Sequence, residues 1–194
     1  MKQSLNTLIL ALVCIVSSGI AGDKTTKLDF SSGALPDGFA VAKGEWKVVD
    51  GALFGAELES DHHGAVATIP ETHTDSVISF RFQVNGSRSF GLSYNHPAGH
   101  LFRVKVGAGQ AAVILDKDKK DPKSKAITFD SKDFTAADGE WVEMSCRVEG
   151  EKVVVTCGDI TLKGTHPRLA MEKTGYRFVV AGQSVLIDDI KIGE

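Results

Sequence analysis

The stretch Trp141 to Cys157, WVEMSCRVEGEKVVVTC, restricts the fold more than any other part of the chain. Its apolar residues recur at every second position: Met144, Cys146 and Val148 before the polar turn, Val153, Val155 and Cys157 after it. A period of two places each set on one face of an extended strand. The two runs close into a β-hairpin, and two turns are compatible with it. If Glu151-Lys152 forms the turn, Val148 lies opposite Val155 and Cys146 opposite Cys157, a geometry that a disulfide can bridge. If Gly150-Glu151 forms it, Cys146 lies opposite Val155 and the cysteines share a face only diagonally. The expectation carried forward is a Cys146–Cys157 disulfide.

The same alternation recurs along the chain. Gly44 to Leu53 reads as strand, Asp50-Gly51 turn and strand, and Ser76 to Val84 and Ser87 to Tyr94 as two strands joined by an Asn85-Gly86 turn. Asn85-Gly86-Ser87 also matches a glycosylation acceptor, but the hairpin turn explains it better. His100 to Val106 and Gln110 to Leu115 pair across Gly107-Ala108-Gly109, with Phe129 and Phe134 in a loop or short turn beyond them. Tyr176 to Val180 and Val185 to Ile192 close the chain as separate strands. No stretch sustains helical spacing, and turn signals recur every ~8 to 12 residues, the pattern of an all-β antiparallel sandwich of two sheets. The charged segment Asp116 to Lys125 has no apolar period and reads as a solvated loop, or as a loop that contacts an anionic ligand.

The first residues have a different character. Lys2, an apolar run from Leu8 to Val16 and the small residues Ser17, Ser18, Gly19 and Ala21 have the layout of a secretory signal peptide, with cleavage expected after Ala21. The apolar run is too short to span a bilayer, and no transmembrane segment is expected later. This predicts a secreted or periplasmic protein in which residues 22–194, roughly 170 in all, form a single domain and a monomer. Export takes Cys14 away with the signal and leaves two cysteines in an oxidising compartment. The net charge is −3, and losing Lys2 makes it one unit more negative, which argues against nucleic acid as a partner.

Three segments, GEWKVVDGAL, GEWVEMSCRVEGEKVVV and SVLIDDIKIGE, together resemble the concanavalin A-like jelly rolls of the laminin-G and 3-keto-disaccharide hydrolase (DUF1080) type, a group often labelled family 16 glycoside hydrolase-like. The resemblance covers nearly the whole chain after the signal. It implies a jelly-roll sandwich and a carbohydrate partner. Its members include sugar-cleaving enzymes and plain glycan binders, so the fold alone does not choose between them.

Candidate chemistry gathers in two clusters. In Glu57-Leu58-Glu59-Ser60-Asp61-His62-His63, an extended chain would put Glu57, Glu59 and Asp61 on one face, as carboxylates alternate in family 16 glycosidases, although Ser-Asp-His-His-Gly reads as a turn. His96 and His100 form the second cluster, and with His62 and His63 they would supply imidazoles for acid/base work or for a divalent metal. The enzyme reading takes His63 and His100 as acid/base groups or metal ligands and Glu57 as a second carboxylate. Arg103, Tyr94 and His96 would then contact the sugar. The rival readings are a non-catalytic glycan-binding module and an envelope interaction protein. Trp46 and Trp141 are expected in the core rather than as sugar platforms. Asp188-Asp189 would ligate calcium or require a bulge in the last strand.

Overall fold

A computed structural model describes residues 25–193. The described residues form thirteen strands: β1 (Thr26–Lys27), β2 (Ala40–Lys43), β3 (Glu45–Val49), β4 (Ala52–Ala56), β5 (Ala65–His73), β6 (Ser76–His96), β7 (Gly99–Gly107), β8 (Gln110–Leu115), β9 (Ile127–Asp133), β10 (Trp141–Glu149), β11 (Lys152–Cys157), β12 (Ile160–Thr165) and β13 (Lys173–Gly193). Two 3₁₀ turns, Glu59–Asp61 and Pro167–Ala170, complete the regular structure, and every strand pairing is antiparallel. No helix among the described residues is long and apolar enough to cross a membrane. The expected signal peptide lies outside the described residues.

The two long strands β6 and β13 organise the sandwich. They pair with each other from Gly175↔Asn95 to Gly193↔Val77, and both bend near the middle. Their halves therefore belong to different sheets. The back sheet runs β12-β11-β10-β6-β13-β4-β3 through the first half of β6 and the second half of β13. The front sheet runs β9-β8-β7-β6-β13-β5-β2 through the other halves. The bend in β6 falls at Asn85-Gly86, so this pair is not the hairpin turn its chemistry suggests. Gly86 has φ +71°, which lets the strand turn a corner without ending. Beside it β13 shifts register between Ala181 and Gly182, and Gly182 has φ +108°. Tyr176–Val180 and Val185–Ile192 are thus one continuous strand. Phe129 likewise lies in strand β9 rather than in a loop.

The β10–β11 hairpin takes the Gly150-Glu151 turn: Glu149 faces Lys152, Val148 faces Val153, and Cys146 faces Val155. Gly150 has φ +53°, and its N–H donates to Asp75 Oδ1 at 2.9 Å. This register sets Cys157 opposite Met144, so the two cysteines are diagonal and both are free. The expected disulfide is absent because the turn glycine selects the other register. The Asp50-Gly51 and Ala108-Gly109 turns form as their sequences dictate, with positive φ at both central residues of each.

The core lies between the sheets. Ile78, Phe80 and Phe82 from one half of β6 meet Phe90, Leu92 and Tyr94 from the other, with Phe178 between them. The Phe82–Phe90 ring centroids are 4.7 Å apart and the Phe80–Phe178 centroids 5.3 Å apart. Tyr94 stacks on Phe102 at 4.3 Å, and its hydroxyl donates across to the Cys146 carbonyl at 3.3 Å. Trp46 is buried, as expected. Trp141 is not: it is 38% exposed at the start of β10, with the Arg81 guanidinium 4.6 Å from its ring centre.

Candidate functional site

Alternation along the front sheet decides which residues can meet a ligand. Phe90, Leu92 and Tyr94 point into the core, so Ser89, Gly91 and Ser93 point out. On β7 the outward residues include Arg103 and Lys105, and on β13 they are Arg177 and Val179. Strand pairing sets Ser93 opposite both Arg103 and Arg177, and Gly91 opposite both Lys105 and Val179. These rows form the floor of a groove of about 340 Å³, which His63 and His100 complete. That volume lies at the lower end of the range for small-molecule sites, roughly 300–1,000 Å³.

Three of the sequence-selected residues come together here: His63, His100 and Arg103. The His63 Nδ1 donates to the Gly64 carbonyl at 2.7 Å, which in the neutral ring leaves Nε2 with its lone pair. His100 is arranged the other way round. Arg177 approaches its Nε2 at 3.4 Å, and because a guanidinium can only donate, Nε2 is the acceptor and Nδ1 carries the proton. Burial pulls the His100 imidazole below its ordinary value, and the Arg177 cation pulls it further the same way. Arg103 donates to Asp116 at 2.8 Å.

The other selected residues lie elsewhere. Tyr94 is fully buried on the inner face and cannot touch a ligand in the groove. His96 is buried at the end of β6, where burial and the nearby Arg168 lower its pKa, and it does not line the groove. Glu57 lies in a shallow recess at the strand bends with Arg88 and Gln183. Its Oε2 accepts from the Gly182 N–H at 2.7 Å and from Arg88 at 2.9 Å, so it ties the bend of β13 in place. The expected line of carboxylates also fails. Glu59–Asp61 is a 3₁₀ turn ended by His62 at φ +48°, and Asp61 accepts from the Gly44 N–H at 2.6 Å.

Asp188 and Asp189 both bond Arg81, at 2.6 and 3.2 Å. Asp189 has φ +53° where the register shifts, so β13 bulges and both carboxylates face outward. Among the described residues no group of three or more His, Cys, Asp or Glu side chains could hold a metal ion.

The sequence reading missed Arg177, Lys105, Ser89, Gly91 and Ser93. Their signal was parity: in SFGLSY the small residues alternate with the core-facing rings, and Arg177 stands between Tyr176 and Phe178.

No protein-family model and no curated protein sequence matches the chain. Solved structures do resemble it. The carbohydrate-binding module CBM66 from Bacillus subtilis superposes with a TM-score of 0.63 at 9% identity, over 81% of this chain and 96% of that one. A laminarinase from Rhodothermus marinus gives 0.64 at 8% identity, over 89% and 98%. LamAcat from Zobellia galactanivorans gives 0.61 at 10% identity, over 87% and 96%. At these identities the likeness establishes the concanavalin A-like jelly-roll fold and nothing finer.

Proposed function

We propose that this protein is an exported carbohydrate-binding module whose ligand lies in the groove on the outer face of the front sheet. Two of the similar structures named above are a carbohydrate-binding module and a laminarinase, which supports a carbohydrate as the partner. The observation that carries the choice of binder over hydrolase is the lining itself. It combines hydroxyls, imidazoles and cations with a side-chain-free floor at Gly91, and it includes no Asp or Glu. Hydrolysis of a glycoside ordinarily needs a pair of carboxylates about the scissile bond, and Glu57 does not reach this groove.

A second reading, glycoside processing of the 3-keto-disaccharide hydrolase type, is favoured by one observation: His63 and His100 share the groove. Within that reading His63 is the base, because Arg177 already occupies the lone pair of His100.

The test is equilibrium binding of the purified protein to a panel of soluble oligosaccharides, with the Val179→Glu variant alongside. Saturable binding that the new carboxylate lowers by at least about tenfold supports the groove as the site. Binding untouched by the substitution, or no binding from folded protein, overturns it. Turnover of a 3-keto-disaccharide that disappears in His63→Ala would instead favour the enzyme.

A further inference from the structure

We infer that the groove is built for a sugar bearing an oxyanion, a uronate carboxylate or a sulfate ester, held between Arg177 and Arg103. The inference rests on the carbohydrate-binding reading and narrows it to a ligand class. Three observations carry it.

The first is charge. Arg103, Lys105 and Arg177 line the groove without a single carboxylate among the lining residues. Arg177 has only Thr68 Oγ1 and His100 Nε2 within reach, both at 3.4 Å, and no acidic partner among the described residues. Arg103 donates one amino group to Asp116, and with its side chain 40% exposed the rest of the fork faces solvent. Lys119 lies against Gly99 at the turn that carries His100 and adds a further cation at that end: a Cβ placed on Gly99 would come within 2.8 Å of its Nζ. Three of the protein's 22 lysines and arginines thus line one groove that no Asp or Glu lines.

The second is geometry. Ser93 is paired with Arg103 on one side and Arg177 on the other, so the two guanidiniums rise from one cross-strand row, their Cα atoms roughly 10 Å apart. A guanidinium fork matches the paired oxygens of a carboxylate or sulfate. One row along, Gly91 leaves room for the ring that carries the anion.

The third is what the groove lacks. Phe90, which borders the groove, is only 1% exposed, and Tyr94 and Phe102 are fully buried, so among the described residues no Phe, Tyr or Trp ring lies open in the groove for stacking. A neutral sugar hydroxyl would accept from the same guanidiniums with only one partner charged, whereas an oxyanion pairs opposite charges and can take both N–H groups of a fork.

The experiment is titration calorimetry with glucose-, galactose- and mannose-based oligosaccharides, each in neutral, uronate, methyl-esterified uronate and O-sulfated forms. The expected result is that uronate or sulfated members bind at least about tenfold more tightly than their neutral and esterified counterparts, and weaken as salt is raised. The uronate and sulfate arms identify which oxyanion is preferred. Arg177→Gln should remove that preference and Arg177→Lys should restore part of it. Arg147→Gln, which deletes a charge on the outer face of the back sheet, should change nothing. Should Arg177→Gln fail to fold, Arg103→Gln, at a side chain 40% exposed, serves in its place. Neutral and charged members binding alike would overturn the inference and leave the carbohydrate reading standing. Anion binding that survives in the groove variants would place the anion elsewhere and overturn it too. No binding by any member would overturn both.

Discussion

Individual residues in this protein are fixed by parity more than by type. Tyr94 and Ser93 are neighbours, yet one is in the core and the other in the groove, because successive side chains of a strand take opposite faces. Phe90 sits where the two halves of β6 and β13 converge, and Phe90→Ala should destabilise the fold by about 3–5 kcal/mol in denaturant unfolding, the range for a large ring lost from a packed core. The cysteines offer a sharper check. Burial pushes both thiols up to about 12, so neither forms a thiolate near neutral pH. A thiol reagent should leave Cys146 and Cys157 unmodified in the folded protein and react with both after denaturation. Loss of those thiols unless the protein is first reduced would show a bridge. The sequence could not decide this point, since Gly150-Glu151 and Glu151-Lys152 are both good turn pairs, and the fold takes the first, with Gly150 at φ +53°.

Elements were legible where a single local rule governs them, and were misread where two sheets share a strand. The Asp50-Gly51 hairpin follows from its turn alone. Asn85-Gly86 has equally strong turn chemistry, but β13 lies alongside β6 on both sides of it and keeps the chain extended through the corner. The partner corner at Gly182 is the more constrained, for a Cβ there would sit 2.7 Å from the Arg88 backbone nitrogen at φ +108°. Gly182→Ala should therefore destabilise the protein by about 1–3 kcal/mol or more, read as a lowered unfolding midpoint. The same substitution at Gly51, where the space is open, should be milder despite its positive φ. Loop histidines were the hardest to read from sequence: His63 and His100 reach one groove through strand pairings more than thirty residues apart, whereas His96, four residues from His100, is carried inward by the end of β6.

At the scale of the whole molecule, the sandwich buries histidines on both sides of its front sheet, and this sets its response to acid. His73 stacks on Tyr176 at 4.6 Å, and burial lowers its pKa, with the Lys173 cation acting in the same direction. Burial is also the leading cause of the lowered values at His96 and His100. In the unfolded chain each returns toward 6.5. Between the lowered value and 6.5 the unfolded state binds more protons than the folded one, so these groups favour folding above that window and lose the contribution as pH falls through it. Unfolding free energy followed against pH should fall as the solution is acidified below about 6.5, and the slope should lessen in His73→Phe. The fold class was visible in the alternation of the chain, and the outer face of the front sheet was visible only once β6, β7 and β13 were set side by side.

Whether a glycan is bound on that face can be read by amide chemical-shift mapping of the labelled protein during titration with the tightest-binding oligosaccharide. Perturbations should concentrate at Ser89–Ser93, Arg103–Lys105 and Arg177–Val179, with the back sheet silent. Perturbations centred instead on Arg81 and Trp141 would place the glycan on the back sheet and overturn the groove as its site.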